Sequence, residues 1–391
     1  MRGILLCLLF TAFFLSTSAT ASIIYVGESG YSNLQEAVNA SLPGDTIIIQ
    51  EGIYNGTEID KPLIMKGEGG VIEGDVVIKA NNVTIDSLII KDAYHALEMK
   101  GDYCIIRNCT IAGNSYGIKI EGNNNSIMSN KIFKNRFYGI YLDYAHSNRM
   151  EGNVIYGNGW GIYLEHSTSN LIEGNDIKNN SEGIKIQASN GNVVKRNNIS
   201  GNEEMGMHLC CKSGGNFIFM NNFMKNRRNA LAYADENHWD FNSKGNYWDD
   251  YNGSGEYVIY TENVDHNPSL HPYIIDVASK KEIIFFSPEE GMEVKGSIKV
   301  EGLNEVGGYV EWRVDNESWR RANGTFFWSF FIDTKKIGNG YHSIQVRCGD
   351  LVAERHIYVV NKRNSPSFAT TFSVFAISLI FAWKYMRRKG R

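Results

Sequence analysis

Three acidic residues, Glu121, Asp143 and Glu165, follow one another at intervals of 22, and Gln187 is next in their series. Tyr141 and Tyr163 keep the same interval, with Lys119 before them and Lys185 then His208 after them. Tyr116, Tyr138 and Trp160 make a third set. If a structural period brings each set into a column, carboxylates and rings share one surface. Aromatic rings stack on sugars, and carboxylates hydrogen-bond hydroxyls or serve as acid and base. A retaining glycosidase needs two carboxyls about 5–5.5 Å apart and an inverting one about 6.5–9.5 Å. Clustered acids also raise one another's pKa, as a general acid requires. The face reads first as a glycan-binding surface. The alternative is a polysaccharide hydrolase or lyase with Glu121, Asp143 and Glu165 as catalytic groups and Lys119 and Lys185 beside them. An ordinary solvated strand face competes with both.

One cluster is soft. Met205-Gly206-Met207-His208-Leu209-Cys210-Cys211 combines thioether, imidazole and thiol, which suits Cu(I), with His208, Cys210 and Cys211 as ligands. Strand alternation turns His208 and Cys210 outward together, while Met207 and Leu209 fill the core, so a further ligand has to come from a neighbour such as His238. Asp250, Asn252, Ser254 and Glu256 alternate like the first ligands of a Ca²⁺ loop, but the Gly and distal Glu of such a loop are misplaced. A turn closing the last coil fits them better.

The elements that position these residues repeat. Gly117-Ile118, Gly139-Ile140, Gly161-Ile162 and Gly183-Ile184 are spaced by 22, and Gly206-Met207 and Ala230-Leu231 extend the series at 23 and 24. Three asparagine columns run alongside: Asn130, Asn153, Asn175, Asn197 and Asn221; Asn114, Asn135, Asn158, Asn180, Asn202 and Asn226; Asn125, Asn148, Asn170, Asn192 and Asn216. So fixed a period means a solenoid, and 22 residues is too short for a helix pair. Apolar residues alternate within each repeat, as strands require. The expected fold is all-β: a right-handed, single-stranded parallel β-helix whose corner asparagines take left-handed backbone and stack their amides in ladders.

Residues 1–21 have the form of a secretory signal, with Arg2, an apolar run and Ala19-Thr20-Ala21 as a cleavage site. The β-helix spans 22–276 and is clearest over 104–229. Leu34–Val38 is expected as a short helix covering its open end. A linker at 361–367, a transmembrane anchor at 368–386 and a basic cytoplasmic tail at 387–391 follow from an uncharged stretch, Ser365 to Trp383, ahead of Lys384, Arg387, Arg388, Lys389 and Arg391. With Arg2 and those five residues set aside, 33 Lys and Arg face 43 Asp and Glu, a net of −10 that excludes a nucleic-acid partner. The protein is expected at the extracytoplasmic cell surface, spanning the membrane once. Cys104 and Cys210 lie almost five coils apart, about 23 Å at ~4.8 Å per coil, too far for a bridge. That leaves Cys104–Cys109 or a vicinal Cys210–Cys211, with Cys348 over. Ten N-x-S/T sequons make the exported region a possible glycoprotein.

Leu34-Gln35-Glu36-Ala37-Val38, Pro43-Gly44-Asp45-Thr46-Ile47, Gly52-Ile53-Tyr54 and Ile72-Glu73-Gly74 resemble the opening of many pectin-lyase-like β-helices. The repeat N-x-I-x-x-N-x-x-G-I-x-I and the closing Gly245-Asn246-Tyr247-Trp248-Asp249-Asp250-Tyr251 resemble the NosD-type branch, within the wider group of carbohydrate-binding and sugar-hydrolase (CASH) domains. That resemblance, over about 24–275, implies the fold and, through the branch's usual label, copper binding or metalloenzyme maturation. After Tyr251 the branch's usual Asp/Gly-rich run is missing. Residues 282–360 change character: six or seven strand-like runs between Gly, Asn and Pro turns, with tryptophans expected inward, suggest a small sandwich resembling the Ig-like modules of surface proteins.

Overall fold

The computed structural model describes residues 21–361, apart from 234, 276–281, 305, 307 and 325–326. The signal segment expected at 1–21, Ala21 excepted, and the linker, anchor and tail expected at 361–391, Asn361 excepted, lie outside the described residues. Among those that are described, no helix is long and apolar enough to cross a membrane. The chain divides into two units, the first ending at residue 278.

The first unit is a parallel β-helix of about ten turns; among the described residues 25 strands join in one continuous hydrogen-bonded sheet, and Tyr257–Tyr260 pairs antiparallel with Asn263–Asp265 as a separate hairpin. Each full coil has three strands. A first face carries Ile105–Arg107, Ser126–Met128, Arg149–Glu151, Leu171–Glu173 and Val193–Lys195; a second carries Thr110–Ala112, Lys131–Phe133, Val154–Tyr156, Asp176–Lys178 and Asn198–Ser200. The third and longest carries Tyr116–Ile120, Tyr138–Asp143, Trp160–Glu165, Glu182–Gln187, Met205–Cys210 and Ala230–Tyr233. Each strand pairs in parallel register with its counterpart one coil on. A short strand points one apolar residue inward and a third-face strand two. Ile127, Ile132, Ile140 and Leu142 thus fill one layer of the core with no exposure at all.

Before the regular coils come two long strands, Thr46–Ile59 and Ile64–Ile78, which run through what later become corners. The N-terminal helix forms at Leu34–Ala40, with Asn33 accepting the N–H groups of Gln35 and Glu36 at its start. Leu34, Ala37 and Val38 bury into the open end of the core, as expected of a cap.

The predicted asparagine columns are real ladders. Asn153 Oδ1 accepts both the backbone N–H and Nδ2 of Asn130 at 3.0 Å, and Asn153 Nδ2 donates at 2.9 Å to Asn175 Oδ1 and to the Ile127 carbonyl. The left-handed backbone expected of these asparagines belongs instead to the residue before each: Ser129, Gly152, Gly174, Arg196 and Met220 have φ between 53° and 66°. That turn swings the asparagine inward, where its amide overlies the next. A fourth ladder, of serines, escaped the sequence reading: Ser167, Ser189 and Ser213 hydroxyls accept the N–H groups of Ala145, Ser167 and Ser189.

Close approach of successive coils explains the glycines of the Gly-Ile pairs. A Cβ on Gly117, Gly139, Gly161, Gly183 or Gly206 would lie 2.2–2.6 Å from the carbonyl oxygen one coil on. The series continues one residue earlier than expected, because Met207 pairs with Ala230 and His208 with Leu231, so Asn229-Ala230 follows Gly206-Met207.

At the C-terminal end every asparagine ladder meets a terminator. Asn263 Oδ1 accepts Asn237 and the Trp239 indole, and Asp265 Oδ2 accepts the Asn246 N–H at 2.7 Å and the Trp248 indole at 2.9 Å. Asn226 donates to Asn229, whose own amide is held at 2.9 Å by both Asp249 and Asp250. Trp248 stacks between Phe223 and Tyr257, at 4.4 and 4.2 Å. The Gly245–Tyr251 motif therefore closes the helix.

Neither of the two local bridges left open is closed in this structure: Cys104, Cys109, Cys210 and Cys211 are thiols. Cys104 and Cys109 occupy ladder positions, each offering its N–H to the next asparagine, and burial pushes the Cys109 thiol up to about 12.

The second unit has a three-stranded antiparallel sheet (Ile283–Ser287, Ser297–Asn304, Phe327–Asp333) and a five-stranded one that includes Glu311–Val314, Gly340–Cys348 and Leu351–Val359. Phe285, Val300 and Trp328 from the first share a core with Val314, Ile344 and Ile357 from the second. Trp312 stacks on Phe330 at 4.2 Å. Trp319 does not turn inward. It sits half-buried with Arg313 and Arg347 over its ring at 4.5 and 4.3 Å.

Asn153→Ala should leave buried donors and acceptors unpaired on both neighbouring coils, at about 1–3 kcal/mol each, lowering the urea midpoint sharply. Exposed Asn55→Ala should change stability by less than about 0.5 kcal/mol. A second expectation concerns pH. Burial pushes the Asp265 carboxyl from 3.8 up to about 6, outweighing the donors Asn246, Trp248 and Asn267 that pull it down. A carboxyl whose folded pKa lies above its unfolded one stabilises the fold at low pH, and that stabilisation disappears as pH rises from about 4 to about 6. At about 1.4 kcal/mol per pH unit this amounts to about 3 kcal/mol. Wild type should therefore lose stability relative to Asp265→Asn between pH 4 and pH 7; a constant difference contradicts it.

Candidate functional site

The third face presents three outward rows. Successive strands pair Tyr138 with Trp160 and then Glu182; Lys119 with Tyr141, Tyr163, Lys185 and His208; and Asp143 with Glu165, Gln187 and Cys210. Glu121 directly follows Tyr116–Ile120, beside Asp143. All the residues predicted for glycan binding and acid–base work are thus brought to one face, at one coil per step of about 4.8 Å. Trp160 begins the same strand as Tyr163.

The rings, however, stack on one another along the helix axis. Tyr116 and Tyr138 have centroids 5.5 Å apart, Tyr138 and Trp160 5.2 Å, Tyr138 and Tyr163 5.4 Å, and Tyr141 and Tyr163 5.3 Å with planes within 21°. The Lys185 ammonium lies 5.5 Å from the Trp160 centroid and 5.2 Å from that of Tyr163. Ring faces are spent on neighbouring rings, so the surface displays edges and hydroxyls. A platform of open ring faces, which the sequence suggested, is not what in-register stacking produces.

The acids are tied as well. Lys119 Nζ pairs with Glu121 and lies 3.7 Å from Asp143 Oδ2. Glu165 accepts the Tyr141 hydroxyl at 2.6 Å on one oxygen and Gln187 Nε2 at 2.8 Å on the other. Burial and that bond to Glu165 push the Tyr141 phenol up, and burial does the same for Tyr138 and Tyr163. Burial pulls Lys119 down, but Glu121, Asp143 and Glu98 outweigh it and hold it above the usual lysine range. Phenols and ammonium are therefore held protonated as donors, and the carboxylates are acceptors engaged by them. Such a face can hydrogen-bond a polyhydroxylated chain. A general acid at Glu165 would first have to break one of two good hydrogen bonds.

The soft cluster separates. Met207 and Leu209 are buried, while His208 and Cys210 face outward as alternation required. Cys210 and Cys211 sulfurs are 3.0 Å apart, but His208 Nδ1 is 3.4 Å from Glu182 Oε2, and His238 stacks on Phe217 at 4.5 Å. Burial pushes the Glu182 carboxyl up, and His208 and Lys185 more than reverse it. Among the described residues no three or more His, Cys, Asp or Glu converge on a point that could hold a metal ion. A two-sulfur donor pair does not fit a built copper site. The Ca²⁺ loop does not form either: Asp250 binds Asn229 and Tyr257, Asn252 accepts the Ser254 N–H, and Glu256 meets His266.

Sequence reasoning missed a cavity of about 370 Å³ at the C-terminal end, lined by Asn226 to Ala230, Asp249, Asp250 and Tyr257 to Ile259. Exposed Arg227 and Arg228 stand at its rim. Counting back from Met207 and Ala230 sets Arg228 in the row of Trp160, Glu182 and Met205. The repeat held that signal, in the alignment of Met207 with Ala230 rather than with Leu231.

Tyr138 touches Tyr116, Tyr141, Trp160 and Tyr163. At about 0.5–1.5 kcal/mol per aromatic pair, Tyr138→Leu should destabilise the fold by about 2–6 kcal/mol and collapse the near-ultraviolet circular dichroism. Tyr141→Phe, which keeps the ring, should preserve that signal.

A family model described as periplasmic copper-binding protein (NosD) matches residues 38–253. No curated protein matches the chain in sequence. Solved structures of similar fold include the PL6 family alginate lyase AlyGC, at 15% identity and a TM-score of 0.42 over 52% of this chain and 35% of that one. The chain thus spans about a third of that lyase. The periplasmic alginate epimerase AlgG follows at 16% identity and a TM-score of 0.38, covering 55% of this chain and 84% of that one. A third is the tailspike protein gp49 of Acinetobacter baumannii bacteriophage Fri1, a capsular polysaccharide depolymerase, at 8% identity and a TM-score of 0.40 over 88% and 79%.

Proposed function

The chain belongs to the NosD family of the pectin-lyase-like β-helices, and from that premise we propose that it is a cell-surface protein whose third face binds glycan. One observation carries this reading. Donors and acceptors recur in register over several coils, with Lys119, Tyr141 and Lys185 in one row and Glu121, Asp143, Glu165 and Gln187 in the next. An extended chain of hydroxyls laid along the helix axis meets the same chemistry at each coil. Edges of stacked rings and phenol hydroxyls flank it, and the pre-stacked side chains have little rotamer freedom left to lose on binding. The engagement of these carboxylates by protein donors, Lys119 beside Glu121 and Asp143, and Tyr141 with Gln187 on Glu165, favours binding over bond cleavage and puts the hydrolase or lyase reading second. Copper handling rests on the family name alone, since the described residues offer no matching donor set.

The signal at 1–21 and the uncharged stretch from Ser365 to Trp383 support export and a C-terminal anchor, with the basic end kept in the cytoplasm. In this reading residues 282–360 are an Ig-like spacer that lifts the β-helix from the membrane.

A chain lacking residues 365–391 should appear in the soluble fraction with its β-rich circular dichroism intact. On a glycan array it should bind at least one glycan class. Lys119→Ala and Asp143→Ala should each weaken that binding about ten- to a hundredfold, the effect of losing a charge-assisted hydrogen bond of about 1.5–3 kcal/mol. Unchanged affinity in both variants would leave the face as ordinary surface, and turnover of the bound glycan would favour the hydrolase or lyase.

A further inference from the structure

The strand Met205–Cys210 ends where Cys211 takes the corner position held by Tyr144, His166 and Ala188 in earlier coils, all with positive φ. Here the corner is one residue longer. Lys212 also has positive φ, at 65° after 62° for Cys211, before Ser213 rejoins the serine ladder. At this longer corner the Cys210 and Cys211 sulfurs stand 3.0 Å apart. That is closer than the ~3.5–4.0 Å of ordinary carbon contacts. Cys211 is exposed and Cys210 half-buried. Cys104, Cys109 and Cys348 are buried.

We infer that Cys210 and Cys211 form a reversible thiol–disulfide exchange site whose co-substrate is a low-molecular-weight disulfide. The exposed Cys211 sulfur, as thiolate, attacks one sulfur of the small disulfide; a mixed disulfide forms and one small thiol leaves. Cys210 then gives its proton to water and attacks the Cys211 sulfur, expelling the second thiol. Two protein S–H bonds are replaced by one S–S bond, and the small disulfide is reduced to two thiols. Reversal is built in. Adjacent residues have Cα atoms about 3.8 Å apart, against the usual 4.4–6.8 Å for a bridge, and strained, exposed disulfides are the readily reduced ones. Cys210 Sγ lies 4.0 Å from Gln187 Oε1, and Gln187 in turn donates to Glu165. Oxidation therefore withdraws a thiol from the end of the acidic row.

The test uses the full chain, folded, exposed to oxidised glutathione, quenched in acid and labelled with a maleimide. Trypsin releases residues 197–212, a peptide that contains these two cysteines and no others. In wild type this peptide should be unlabelled and two hydrogens lighter, and dithiothreitol should restore two labels. Cys210→Ser should instead retain glutathione on Cys211. Closure should be faster in the folded chain than in urea by about tenfold or more, because the fold aligns the sulfurs. Two maleimides on oxidised wild type, a glutathione adduct that persists there, or equal rates folded and unfolded would each overturn the inference.

Discussion

The amide of a buried asparagine, bonded to its counterparts one coil before and one coil after, is what the whole β-helix depends on. Between strands the backbone turns away from its ladder of pleated hydrogen bonds, and N–H and C=O groups at these corners face an apolar interior. Each asparagine supplies one acceptor and two donors at that point, enough for an N–H, an amide and a carbonyl of neighbouring coils. Strict vertical alignment follows, because an amide displaced by one residue would leave several groups unpaired at once. The 22-residue period, the glycine against its neighbour's carbonyl and the in-register outer rows are consequences of that alignment.

This dependence explains what could be read from the sequence. Ladder asparagines, inward apolar residues and close-approach glycines accept few other residue types, so they recur visibly and give fold, register and outward rows. Corner positions before the ladder accept Ser, Gly, Arg or Met alike, so the left-handed backbone was assigned one residue too late. The Gly-Ile series was carried one residue too far at its end, because Ala230 satisfies either alignment of the pattern. Termination was invisible for another reason: Asn263 and Asp265 act once each, outside any repeat.

The outer face shows where period alone misleads. Alignment predicts that Tyr138, Tyr141, Tyr163 and Trp160 come together, and they do. It also compels them to stack face to face, since identical side chains one coil apart share a rotamer, and this removes the ring faces that sugar stacking needs. The same logic pairs Lys119 with two carboxylates and closes both oxygens of Glu165. For His208, Cys210 and Cys211, adjacency in sequence suggested one cluster. The strand sends the histidine to Glu182 and only the corner brings the sulfurs together.

Because Asn33 to Ala40 at one end, and Asn229, Asp249, Asp250 and the antiparallel pair Tyr257–Tyr260 and Asn263–Asp265 at the other, supply the terminating contacts, no interior coil carries information about how long the stack must be. A 22-residue segment cut between equivalent corners and copied in tandem would meet the same ladders above and below. Gene-level duplication or loss of whole coils can thus lengthen or shorten the outer strip while both ends stay as they are. The molecule behaves as an extensible ruler with fixed end-stops, and its reach can drift in steps of about 4.8 Å without any new residue having to be invented.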